Sequence, residues 1–185
     1  MGWVDNNFWE KIINKCLVKA SVWKNKWLSQ VEQIVMVKFI LSFIQIYYMS
    51  VYKIPNRASS GLEGIFKKFL WEGSKEEKKI PIISWDTACL MKEDGGAGLQ
   101  KMTLHNRTLG AKLAWKLYKS PKKSWCRIMV AKYLDSWDPD RILKMANTLS
   151  GSQIWRHIWE TWKILIEHLT WRIGNGQRKR FWRDS

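Results

Sequence analysis

Apolar residues return at helical spacing along most of this chain. Trp9, Ile12, Ile13, Cys16, Leu17 and Ala20 recur as one face of a helix, and Lys11, Lys15 and Lys19 fall four apart on the opposite face. That pattern predicts an amphipathic helix with a basic stripe. Ser29 with Glu32 three residues on has the spacing of a capping box. It predicts a second helix running through the apolar stretch to about Tyr48, with residues 34–48 buried as a core helix and Lys38 on its exposed side. Pro55 ends an extended segment after it. Ser59 or Ser60 is the expected cap of a third helix, which carries Leu62, Ile65, Phe66, Phe69 and Leu70 up to Trp71.

Beyond Gly73 the pattern breaks. Residues 75–79 read as an exposed loop, 80–85 as a short extended piece containing Pro81, and 87–92 as a short helix. Asp94-Gly95-Gly96-Ala97-Gly98 is a turn whose glycines permit positive φ. Thr103 is the expected cap of the next helix, which carries Leu104, Leu109, Leu113, Trp115 and Leu117 and stops at Pro121. Trp115 is placed on its apolar side. Residues 125–133 and 153–169 predict two more helices, with a turn at Asp138-Pro139-Asp140 between them. At the end the period changes to two: Trp171 and Ile173 alternate with polar residues, Gly174-Asn175-Gly176 turns, and residues 178–182 alternate again. That predicts a terminal hairpin. The fold class is mainly α, with a small C-terminal β-hairpin.

Composition sharpens this picture. The chain has 185 residues, 46% of them hydrophobic, which is enough for a packed core. It carries 14 tryptophans, large anchors that leave some ring edges uncovered. The formal net charge is +16 and the pI about 9.9. That imbalance points to a polyanionic partner, either nucleic acid or an anionic membrane surface. Cys16, Cys89 and Cys126 are odd in number and far apart, and His105, His157 and His168 do not stand at metal-ligand spacing from them. Neither a disulfide framework nor a structural zinc site is expected, and a reducing intracellular compartment fits. No cofactor is implied. The Asn106-Arg107-Thr108 sequon carries little weight, since nothing at the N-terminus resembles a signal peptide. The uncharged run 39–52 is shorter than the roughly 18 to 20 residues a membrane span needs, so a span is not expected.

Candidate chemistry is sparse. There is no Asp-Asp pair of the kind a two-metal polymerase uses to hold Mg²⁺. Glu76-Glu77 and Glu93-Asp94 read as solvated loop acids. No nucleophile elbow, zincin helix or phosphate-binding P-loop occurs, and the glycine run near residue 96 is structural. His157 and Glu160 share a helix face, but a capped or solvated histidine is the plainer reading. Two basic zones stand out. Residues 95–134 contain no acid, yet hold Lys101, Arg107, Lys112, Lys116, Lys119, Lys122, Lys123, Arg127 and Lys132. Lys112, Lys116 and Lys119 share one helix face. The second zone is Arg172, Arg178, Lys179, Arg180 and Arg183, interleaved with Trp171, Phe181 and Trp182. Cations with aromatics between them suit phosphate neutralisation and base stacking.

Several short boxes follow one another in a recognisable order. Trp23-Lys24, Trp27-Leu28-Ser29, Tyr47-Tyr48-Met49-Ser50 and Lys53-Ile54-Pro55 come first, then Phe69-Leu70-Trp71-Glu72-Gly73. Residues 85–89, Gly95-Gly96-Ala97-Gly98-Leu99, Asn106 and Lys132-Tyr133 continue the series. Trp155 with Ile158, Trp171-Arg172-Ile173-Gly174-Asn175-Gly176 and Phe181-Trp182-Arg183-Asp184 complete it. Over nearly its whole length the chain resembles the part of plant non-LTR retrotransposon reverse transcriptases that lies downstream of the catalytic palm. It departs from that pattern at Val31-Glu32-Gln33, at Met91-Lys92 and at Ala97. The resemblance implies a helical thumb that holds a primer–template duplex, followed by a connecting region. It implies no catalysis by these residues.

The expected organisation is a thumb-like helical region over 1–73, a loop and turn linker over 74–100, and a basic helical connecting region over 101–185 that ends in the hairpin. The expected function is that of a non-catalytic fragment of an RNA-directed DNA polymerase. Its partners would be the backbone of an RNA–DNA hybrid or other duplex, bound weakly and without sequence preference, and a palm domain supplied elsewhere. The alternatives are a degenerate product acting at most as a protein-interaction fragment, and a peripheral membrane binder that uses the basic helix near Lys11 and the apolar segment after it.

Overall fold

A computed structural model of the chain describes residues 6–24, 28–71, 83–134 and 151–169. The expected terminal hairpin, and with it Arg172, Arg178, Lys179, Arg180 and Arg183, lies outside the described residues, as does the turn at 138–140. What is described is mainly helical, and no strand occurs among the described residues.

The first helix, α1, is Asn6–Lys24. It buries Trp9, Ile12, Cys16 and Ala20 and leaves Lys11, Lys15 and Lys19 outside. The second, α2, is Gln30–Met49. Its capping box forms as expected. The Ser29 hydroxyl accepts from the Glu32 N–H, and the Glu32 carboxylate accepts from the Ser29 N–H at 2.7 Å. Hydrogen bonds from the Ser29 backbone and side chain hold the Glu32 carboxyl below its ordinary range. Across Met36–Leu41 the helix widens into π register. There the Ser42 hydroxyl donates to the Val37 carbonyl, five residues back, at 2.7 Å.

The burial of α2 departs from expectation. Val37, Leu41, Gln45 and Met49 face inward, but Val31, Val35, Phe39, Phe43 and Tyr47 stand outside, and Lys38 is half-buried instead of exposed. The helix is also longer than its uncharged run. At 20 residues it has the length and composition to cross a membrane, although soluble core helices meet the same test, and only 22% of its most apolar window is buried. The reason is geometric: α1 and the helices that follow pack against one side of α2, and its other side has no partner among the described residues.

The third helix, α3, is Asn56–Trp71 and buries Leu62, Ile65, Phe66, Phe69 and Leu70. It starts earlier than its serines suggest. The Ser59 N–H already donates to the Pro55 carbonyl, and the buried Ser59 hydroxyl donates to the Asn56 carbonyl instead of capping. A short helix α4, Trp85–Ala88, is capped by Ser84 and leads into a single 3₁₀ turn, Lys92–Asp94. Gly95 and Gly98, at φ +81° and +67°, reverse the chain after it, as their freedom allows. Trp85, Ala88 and Leu99 enter the same core as α1, α2 and α3.

Helix α5, Met102–Lys119, joins that core to a second one. Lys101, not Thr103, is its N-cap residue, and it offers no side-chain cap. The Glu63 carboxylate of α3 takes that role, accepting from the Met102 N–H at 2.9 Å and placing negative charge at the helix N-terminus. Met102 sits in the first core, whereas Ala114 and Leu117 sit in the second with Cys126, Leu134, Trp155, Ile158, Trp159 and Trp162. The last two described helices supply most of that second core: α6, Ser124–Tyr133, and α7, Gln153–Glu167.

Asn106 stands between the two cores on α5 and is buried. Its side-chain oxygen accepts from the Ile54 N–H at 3.0 Å. Its amide nitrogen donates to the Met49 and Tyr52 carbonyls, each at 2.8 Å. Both ends of the amide are therefore occupied, and the sequon it belongs to is not available at this residue. One helical turn on, α5 runs close to α7. A Cβ at Gly110 would lie 2.6 Å from the His157 ring. His157 is 1% exposed, and burial pushes its imidazole down to about 4.

Two outcomes follow from this packing. Replacing Asn106 by Ala strands one buried N–H and two carbonyls, so urea denaturation should register a loss of about 3 kcal/mol. A loss below about 1 kcal/mol would show that the clamp is dispensable. His157 gives a pH dependence. The unfolded chain takes up the proton near pH 6.5, and the folded chain refuses it until about pH 4. Stability is thus full above pH 6.5 and falls as the pH drops through that window, by up to roughly 3 kcal/mol. The stability of wild type relative to His157→Gln, read from melting curves, should fall as the pH drops across that range. Parallel curves would remove His157 as the cause.

Candidate nucleic-acid interface

Apart from Lys132, the first basic zone resolves into three places. Lys101 precedes α5 and forms an ion pair with Asp86 at 2.5 Å. That contact raises the Lys101 pKa above its ordinary value and lowers that of Asp86. Arg107 lines a cleft between the loop after α2 and α7, together with Lys53, Asn106, His157, Glu160 and Thr161. Across that cleft Lys53 pairs with Glu160 at 2.6 Å. The remaining cations gather where α5 turns into α6.

Lys112, Lys116 and Lys119 are exposed on one face of α5, at spacings of four and three. Lys122 and Lys123 are exposed in the four-residue link 120–123, and Arg127 is exposed one turn into α6. The link is held at both ends. The Ser120 N–H donates to the Lys116 carbonyl and the Lys123 N–H to the Ser120 carbonyl. The Cys126 thiol of α6, fully buried, points back at the Lys116 carbonyl at 3.9 Å. Packing of Cys126 against α5 therefore sets Arg127 and the link beside the end of the lysine face.

The backbone adds to this charge. Lys123 occupies the N-cap of α6, supplies no side-chain cap, and no acid stands in the first turn. The free N–H groups there carry partial positive charge and favour an anion. Among the described residues no acid pairs with Lys112, Lys116, Lys119, Lys122, Lys123 or Arg127. Lys132, farther along α6, lies over the Tyr133 ring at 5.4 Å.

Trp115 falls on this surface. It is three residues after Lys112 and four before Lys119, so it shares their face. It is 37% exposed, outside the apolar side where its hydrophobicity placed it. Its ring stacks on Tyr118, with centroids 5.7 Å apart and planes 25° from parallel. The Lys119 Nζ lies 5.9 Å from the indole centroid. The signal for this position was the lysine spacing, which outweighs the apolar character of a single tryptophan.

Other candidate chemistry does not assemble. His157 is neither solvated nor capped, and it stays neutral at ordinary pH, while Glu160 is engaged by Lys53. Burial pushes the Cys16 and Cys89 thiols up to about 11, which suppresses the thiolate. Among the described residues no group of three or more His, Cys, Asp or Glu could hold a metal ion.

Two Arabidopsis thaliana proteins are similar to the chain. One is named a putative ribonuclease H protein, with 27% identity over 182 residues, or 98% of this chain and 29% of the relative. The other is an uncharacterized mitochondrial protein, with 24% identity over 142 residues, or 76% of this chain and 90% of the relative. The chain thus spans less than a third of the length of the first relative. No family model and no solved structure matches it.

Proposed function

We propose that the chain is a nucleic-acid-binding, non-catalytic segment of a plant retroelement-derived protein. The observation that carries this is the basic corner of α5 and α6, where six exposed cations line the last two turns of α5, the link and the uncapped first turn of α6, with no acid paired to them among the described residues. A single-sign surface of this kind repels itself and stabilises a polyanion laid across it. The similarity to a longer relative bearing a ribonuclease H name supports a place within a larger nucleic-acid enzyme. The ordered boxes 23–184 favour the segment downstream of a reverse transcriptase palm, with the first helices as the thumb. In this reading the palm and its metal-binding acids belong to another part of the protein. The partner is the backbone of an RNA–DNA hybrid or other duplex. Binding is weak and indifferent to sequence, because phosphate contacts position a complex without reading bases.

The test is salt-dependent binding. Each phosphate neutralised on B-form DNA contributes about 0.9 to the log–log salt slope. Changing Lys112, Lys116 and Lys119 together to Gln should lower that slope by about 2 to 3 and leave the melting temperature within a few degrees of wild type. An unchanged slope and affinity, read by fluorescence anisotropy at several salt concentrations, would remove this face from the interface. The purified chain given Mg²⁺ and a primed RNA template should extend no primer, since it has no Asp-Asp pair to hold the metals. Extension that survives removal of contaminating polymerases would overturn the non-catalytic reading.

A further inference from the structure

The lysine face of α5 is not purely electrostatic, and Trp115 makes the difference. Fourteen tryptophans occur in the chain, and Trp9, Trp85, Trp155, Trp159 and Trp162 are all buried in its two cores. Trp115 is exposed between Lys112 and Lys119. It is also held by a neighbouring ring. Tyr118 stacks on its ring, and Tyr118 in turn packs against the buried Trp162 with centroids 6.0 Å apart. The indole is therefore presented as a braced plane, which loses little freedom when a ligand settles on it.

We propose that Trp115 is a base-stacking platform set within this lysine face, so that unpaired bases in the bound nucleic acid add a stacking contact to the phosphate contacts that a duplex also makes. The inference rests on the nucleic-acid reading of the basic corner and adds an unpaired strand to the duplex backbone as its ligand. A strand crossing Lys112, Lys116 and Lys119 has phosphates within reach of the ammonium groups, and in a single strand its bases are free to turn toward the ring. In a continuous duplex every base face is already stacked on a neighbour, so only the phosphates are available. Stacking on an indole tolerates any base, which keeps the surface indifferent to sequence. Lys119, already close to the indole, lies where it can meet the phosphate next to a stacked base.

The experiment uses the full chain and three labelled oligonucleotides: a single strand of mixed sequence, a strand of the same length with abasic sites at its centre, and the blunt duplex of the first. The abasic strand keeps the phosphates and removes the stacking partners. Wild type should bind the intact strand at least about fivefold more tightly than the abasic one. Trp115→Leu should erase that difference while leaving duplex affinity and the salt slope within about twofold of wild type. Trp115→Phe should restore most of it, since a ring is kept. Equal binding of intact and abasic strands by wild type would overturn the platform, and this arm does not depend on any variant folding. So would a Trp115→Leu protein that keeps the difference, or one that weakens all three ligands alike together with a lowered melting temperature. The last result would mark the ring as a cover for the second core. Absence of salt-sensitive binding to any of the three strands would instead overturn the nucleic-acid reading, and the platform with it.

Discussion

The Asn106 side chain is the constraint on which the arrangement of helices depends. After Met49, where α2 ends, the Ser50 and Tyr52 N–H groups still donate back to the Ile46 and Tyr48 carbonyls, and the chain then leaves helical geometry until Asn56, where α3 begins. The Met49 and Tyr52 carbonyls and the Ile54 N–H are satisfied instead by one amide carried on α5. A hydrocarbon side chain could not do this, and an acid would set its charge against two carbonyls. The clamp fixes α5 in rotation as well as position. With Asn106 inward, Met102 and Leu117 also face cores, and the opposite side of the helix, with Lys112, Lys116 and Lys119, turns outward.

The second core depends on a close approach that the clamp makes available. Gly110 lets α5 come down on the His157 ring, and the adjoining Thr161 hydroxyl turns back to its own helix, donating to the His157 or Ile158 carbonyl. Tryptophans then fill the space on α7. Trp155 stacks between Tyr133 and Trp159, with centroids 4.7 and 6.2 Å away. Most of the tryptophans that can be placed serve as framework. Trp115 differs because its backing comes from Tyr118 and its outer surroundings are lysines.

Charge and stability oppose one another at the α5–α6 corner. Lys112, Lys116 and Lys119 repel along one face, and Lys122 and Lys123 stand at a helix N-terminus, where cations are unfavourable. Elsewhere the chain places acids where they neutralise such strain: Glu63 at the start of α5, Asp86 against Lys101, and Glu160 against Lys53. None of these reaches the corner. An interior packed by Cys126, Leu117 and Trp162 holds the repelling groups together. Among the described residues no acid relieves that positive potential, and an anionic strand would discharge it.

The elements set by local chemistry were legible in the sequence. The Ser29–Glu32 box forms because both partners lie within three residues. The stripe from Leu62 to Leu70 buries because its spacing matches one helix face, and Gly95 and Gly98 reverse the chain because a side chain would resist their φ. The choice of face by α2 was not legible. It is apolar nearly all round, so periodicity cannot say which side meets α1 and α3, and the π turn shifts the phase partway along. Nor could spacing show that Glu63 would cap α5 across a gap of 39 residues, that His157 would lie against Gly110, or that Ser59 would bond within its helix. Trp115 lies between these cases. Its place among the lysines was written in the sequence, but the wish to bury a large ring pointed the other way. Only the packing of Ala114 and Leu117 against α7 decided that the ring stays outside. The sequence by itself determined the long helices, the Ser29 cap and the excess of positive charge, because those follow from neighbours along the chain. Which surfaces remained exposed was decided by contacts between residues far apart in sequence, and those exist only once the helices have packed.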